Sequence, residues 1–157
     1  AERHRIIFVS HQGPTGLGDQ ANSPCGRDWG DEPGGDWGDD DLRQGIVAAR
    51  KSGKAVPLVV FGHMHAVLHG GSSGFRTMLW TERDGPSGQH TVMVNAAVVP
   101  RHKKRQSDRR SHHETLCQFT IVEIGSDGYV ETVEQVWATA RGEIAEARAM
   151  LENAALV

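Results

Sequence analysis

Apolar side chains gather in short continuous runs along this chain and recur at helical spacing in two places. Arg5-Ile6-Ile7-Phe8-Val9-Ser10 predicts a first strand, and Val56 to Phe61 is a β-branched-rich run of the kind expected for a strand buried on both faces. Between them Leu42, Ile46 and Ala49 fall on one face of a helix over roughly 40–52. Asp39, Asp40 and Asp41 can cap its start and Gly53 suits its end. Strand, helix, strand is the order of an α/β unit.

Further along, residues 69–90 are polar and Gly/Ser-rich around a short Phe75 to Thr81 run, which predicts a hairpin or a loop holding one weak strand. His90 to Val99 is another β-rich run. Residues 101–110 carry six basic side chains and one Asp and read as a solvated turn, with a phosphate-contacting patch as the alternative. Thr115 to Ile124 and Tyr129 to Ala138 flank Gly125-Ser126-Asp127-Gly128, a strong hairpin signal. Ile144, Ala147 and Leu151 share a helical face and predict a closing helix near 142–155.

The stretch from His11 to Gly38 has eight glycines, three prolines and almost no periodicity, so residues 12–38 read as a long Gly-rich loop. Ordered domains rarely keep loops beyond about 12–15 residues unless the loop is functional or mobile. Seven acids between Asp28 and Asp41, with Trp29 and Trp37 among them, make its second half negative and favour a solvated insertion there.

Composition narrows the classes. The 157 residues suit about one domain, and no apolar run approaches the roughly 20 residues that cross a bilayer. A net charge of −3 supplies no global basic field, so neither a membrane nor nucleic acid is an expected partner. Cys25 and Cys117 form no Cys-x-x-Cys pattern, which argues against a disulfide scaffold or a cysteine zinc site and for a reducing compartment. The sequence opens at Ala1 and runs almost at once into a strand, from which a segment of a longer protein is expected.

Nine histidines are the chemical signal. Phe61-Gly62-His63-Met64-His65 follows the apolar strand directly, at the strand exits where α/β folds build their sites. Side chains two apart in extended backbone point the same way, so both imidazoles could face one site, with Gly62 permitting a sharp bend before them. Ser10-His11-Gln12-Gly13-Pro14 places a third imidazole at the exit of the first strand. If the two strands are neighbours, His11, His63 and His65 converge, and neutral imidazole suits Zn, Mn, Fe or Ni. Neither Ser10 nor Cys25 sits in a nucleophile setting, and the loop lacks the Lys-Ser/Thr ending of a phosphate-binding loop.

Gly62-His63-Met64-His65 resembles the Gly-His-x-His motif of the calcineurin-like metallophosphoesterases, and Val9-Ser10-His11 with Gln12-Gly13-Pro14 resembles that family's upstream single-His motif. The segment from His11 to Trp29 looks like the branch found in cyanobacteria and plant plastids. The resemblance covers nearly the whole chain, but only as the family's C-terminal half: Asp-x-His, Gly-Asp-x-x-Asp and Gly-Asn-His-Asp/Glu are not found in it. It implies an α/β fold, part of a two-sheet mixed β-sandwich flanked by helices, with the 115–138 hairpin in the second sheet. It implies two divalent ions (Mn, Fe, Zn or Ni), one held by His11 and His63 and the other by His65. Gly62 and Asn95 would be structural at the site, and Arg27 and Asp28 are candidate substrate contacts, although a salt bridge within the loop is the favoured reading of the two. The implied reaction is hydrolysis of a phosphate mono- or diester in cytoplasm or plastid stroma, active only with the missing N-terminal half of the domain. Two alternatives stand beside it: a non-catalytic remnant that binds a partner through the acidic loop or basic turn, and a mononuclear zinc site made of the three histidines.

Overall fold

The computed structural model describes residues 4–69, 74–84, 89–106 and 113–151, the side chains of 84 and 89 excepted. The chain divides into two compact units, residues 1–97 and 98–157.

In the first unit, β1 (Arg5–Val9), α1 (Asp40–Lys51), β2 (Ala55–Phe61), β3 (Leu79–Asp84) and β4 (Gln89–Asn95) build a mixed sheet of order β1-β2-β4-β3. β1 and β4 each pair in parallel with β2, and β3 pairs antiparallel with β4. Central position explains the continuous apolar character of β2, in which Val56, Leu58, Val59 and Phe61 are buried. Asp39 caps α1 by accepting the Leu42 N–H at 3.0 Å. Asp40 and Asp41 in the first turn and Arg50 and Lys51 in the last oppose the helix dipole favourably. The predicted face is the buried one: Ile46 and Ala49 join Val56, Val59, Phe61 and Met93 in one cluster, with Leu42, Ile6 and Phe8 packed against it.

Leu17 and Cys25 belong to the same cluster, so the first part of the Gly-rich loop is packed into the core. Its backbone is tied down by Cys25 N–H to Leu17 O, Trp37 N–H to Cys25 O and Asp39 N–H to Gly13 O. A Cβ at Gly26 would lie 1.8 Å from the Gln20 carbonyl oxygen, so this crossing admits only glycine. Residues 29–33 are exposed, in keeping with the solvated second half.

The second unit is an antiparallel sheet of order β5-β6-β7-β8, made of β5 (His102–Gln106), β6 (His113–Ile124), β7 (Val130–Thr139) and β8 (Ile144–Leu151). β6 and β7 are the predicted hairpin, closed by Gly125 N–H to Tyr129 O and with Gly128 at φ 77°. Two expectations are corrected. The closing segment is a strand, not a helix, because β7 presents an edge whose backbone groups β8 satisfies from Ala138↔Ile144 to Val133↔Leu151. The basic stretch is a strand at 102–106, not a turn; Lys103 bonds Glu146 at 2.6 Å and Arg105 bonds Glu114 at 2.8 Å, so cross-strand acids balance its charge. Residues 107–110 of that stretch, 152–155 of the expected helix, and 70–73 and 85–88 of the polar stretch lie outside the described residues.

With two four-stranded sheets and a single helix among the described residues, the protein is mostly β and fits an α/β mixed sandwich only in outline. Among the described residues no helix is long and apolar enough to cross a membrane.

Candidate metal centre

Parallel pairing of β1 with β2 carries two chain exits to the same end of the sheet, with Val9 opposite Val60. The ladder continues past the strands through Ser10 N–H to Val60 O at 2.9 Å and Gly62 N–H to His11 O at 3.0 Å. These backbone hydrogen bonds bring His11 and His63 to adjacent positions at the strand exits. His11 Nε2 lies 3.1 Å from His63 Nδ1, with ring centres 5.0 Å apart and planes at 70°. Both side chains are exposed.

The bend after β2 falls on His63, at φ 66°, and not on Gly62. A Cβ on Gly62 would make only ordinary contacts, 3.6 Å to His11 O and 3.8 Å to the Ala97 Cβ, so the glycine is not what permits the turn. Left-handed backbone at His63 also breaks the alternation expected of an extended segment. His63 pairs with His11, while the exposed His65 ring has His69 as its neighbour, with centres 6.1 Å apart at 63°. Among the described residues, no group of three or more His, Cys, Asp or Glu is placed to hold a metal ion.

Asn95, fully buried at the end of β4, holds the turn between the two histidines. Its Nδ2 donates to Met64 O at 2.7 Å and to Pro24 O at 3.4 Å, and its Oδ1 accepts the Ala97 N–H at 3.0 Å. Arg27 folds back onto its own loop, donating through Nη2 to Glu32 O with its guanidinium carbon 6.0 Å from the Trp37 ring centre.

A buried cation under the site has no sequence signal of its own. Arg76 donates to four carbonyls, from Nε to His65 O at 3.0 Å and from Nη1 to Ala21, Ser23 and Gly26 at 2.9, 2.8 and 2.7 Å. Its Nη2 lies 3.1 Å from Asp28 Oδ1. Asp28 Oδ2 accepts the His69 N–H at 2.7 Å, so the loop salt bridge expected of Asp28 is made with Arg76 and not with Arg27. Burial pulls the Arg76 guanidinium below its ordinary pKa, and neighbouring Asp28 opposes that pull. Cys25 is a core thiol and not a nucleophile: burial, then the Asp36 carboxylate, push its pKa from 9.0 up to about 12.

The donor set fits part of a metal site. Two nitrogens at adjacent positions of one ion, each about 2.0–2.1 Å from it, lie roughly 2.9–3.4 Å apart, and His11 and His63 are at 3.1 Å. The facing nitrogens lie within hydrogen-bond distance of each other, with the donor set by the tautomer. Compared with known proteins, the chain matches no family model, no curated protein and no solved structure.

Proposed function

We propose that this chain is the metal-binding part of a metal-dependent phosphoesterase, similar in design to the C-terminal half of a calcineurin-like metallophosphoesterase, with a two-sheet α/β sandwich as its complete fold. The observation that carries the reading is the 3.1 Å approach of His11 Nε2 to His63 Nδ1 across the exits of two parallel strands. Such exits are where α/β sheets build ligand sites, and two facing imidazole nitrogens are metal-ligand chemistry.

On this reading His11 and His63 hold one divalent ion and His65 contributes to a second. A bound divalent ion supplies a water of lowered pKa and stabilises charge on phosphoryl oxygens. The chain itself orients the imidazoles: the Gly62 N–H to His11 O bond fixes the two exits, and Asn95 holds the Met64 carbonyl between the histidines. Anionic ligands between two cations come from polypeptide beyond these histidines, and hydrolysis requires them.

A second reading, a non-catalytic binding module, is favoured by one observation. The acidic loop presents Trp29 and Trp37 edge to face, ring centres 5.4 Å apart, at 39% and 46% exposure. Calorimetric titration with zinc separates the two. Stoichiometric uptake that loses one equivalent in His11→Ala or His63→Ala supports the metal centre, whereas uptake unchanged in both variants, or no uptake at all, removes it and leaves the binding module.

A further inference from the structure

The histidine pair formed by His65 and His69 is not accounted for by the motif that points to His11, His63 and His65, since His69 lies outside that motif. We propose that His65 and His69 together bind a divalent transition-metal ion of their own, separate from the ion at His11 and His63. The proposal extends the metal-binding reading to a second pair of residues and is testable apart from it.

Three features of the structure point to a site. First, both side chains are exposed and their ring centres are 6.1 Å apart. With a metal–nitrogen distance of about 2.1 Å and the ring centre about 1.1 Å further on, two imidazoles on one cation have centres at most roughly 6.4 Å apart. Rotation about χ2, broad for an imidazole, turns the ring nitrogens toward a common ion while the ring centres stay at this spacing, so the two ligands would stand nearly opposite each other on it.

Second, one buried ion pair fixes the backbone at both histidines. Arg76 Nε donates to the His65 carbonyl at 3.0 Å, and Asp28 Oδ2 accepts the His69 N–H at 2.7 Å. Arg76 and Asp28 face each other at 3.1 Å with side-chain exposures of 0% and 6%. The segment between is held as well, by Ala66 N–H to Ala97 O at 3.0 Å and Leu68 N–H to Gly74 O at 3.2 Å. Ligands whose backbone is already ordered lose less freedom when a cation joins them.

Third, the Asp28 carboxylate is occupied by Arg76 and the His69 N–H, so it supports the pair and does not compete as a ligand. The site therefore offers two imidazole nitrogens, with water filling the remaining positions. That donor set selects zinc, nickel or copper over magnesium or calcium.

The test is a zinc titration of the intact chain by calorimetry, with imidazole NMR signals followed in parallel, on the native protein and on His63→Ala and His69→Ala. The second substitution keeps the backbone N–H that Asp28 accepts, so the support beneath the site is unchanged. The expected result is two equivalents of zinc per chain, one lost in His63→Ala and the other in His69→Ala, with the His65 ring signal moving only with the second. One equivalent lost in His63→Ala and unaffected by His69→Ala overturns this proposal and leaves the first centre standing. One equivalent lost in His69→Ala alone does the reverse. A single equivalent lost in both variants overturns the separation of the two ions, and no uptake at all removes both centres.

Discussion

Arg76 and Asp28 face each other at 3.1 Å, with side-chain exposures of 0% and 6%, although 47 intervening residues separate them in sequence. Together they bind the Gly-rich loop to the segment that carries His65 and His69: the arginine holds carbonyls at 21, 23, 26 and 65, and the aspartate holds the amide at 69. A charge removed from water at this depth is tolerated only because its donors and acceptors are matched.

Arg76→Met leaves Asp28 without its cation and four carbonyls without a donor. Removing one partner of a buried pair costs roughly 3–5 kcal/mol, so the urea midpoint of the variant drops steeply. Asp28→Asn combined with Arg76→Met recovers part of that loss, because no unpaired charge remains, but not the part due to the carbonyls. A midpoint unchanged in Arg76→Met would show that the pair contributes nothing to holding the loop.

Gly62→Ala is tolerated, since its Cβ meets the nearest atoms at 3.6 and 3.8 Å. His63→Gly raises the Tm, because a non-glycine residue at φ 66° carries a steric cost of about 1 kcal/mol that glycine does not. The same variant loses zinc at the His11 site. Thermal melts with and without zinc report both effects, and a lower Tm for metal-free His63→Gly contradicts the assignment of strain to that residue.

Asp39→Ala removes the acceptor of the Leu42 N–H at the start of α1. The expected loss is about 1 kcal/mol by denaturant unfolding. Asp39→Asn or Asp39→Ser retains most of the stability, because either side chain can still accept that bond. Equal losses in all three variants would mean that the cap is not what Asp39 supplies.

Alkaline pH tests the Cys25 thiol. In the folded chain it stays protonated up to about 12, whereas the unfolded chain ionises near 9.0. Its contribution is therefore intact below 9.0 and is lost as pH rises from there toward about 12, by about 1.4 kcal/mol per pH unit. Other groups titrate in the same range, so the measurement is the difference between the native chain and Cys25→Ala. Stability of the native chain should fall more steeply above pH 9.0 than that of the variant; parallel curves would place the thiol in contact with water.

Patterning along the chain determined the elements whose stability is local or whose burial is complete. The six-residue apolar run of β2, the acid-capped face of α1 and the Gly-flanked turn between β6 and β7 each carry their own cause in adjacent residues. The placement of His11 and His63 just past two apolar runs was equally visible, because strand exits follow from where the apolar residues stop.

Tertiary structure alone decided the rest. Ile144, Ala147 and Leu151 satisfy a helical period, but a free edge of β7 offered backbone partners that no periodicity can record. Left-handed backbone at His63 turned its ring to His11 and left His65 to His69. Arg76 sits in a polar stretch with nothing to mark it, and it is buried only because carbonyls from positions 21 to 26 and from 65 converge on one guanidinium. Convergence of distant backbone groups is a property of the folded chain in three dimensions, which is why a one-dimensional pattern could name the histidines but not what holds them.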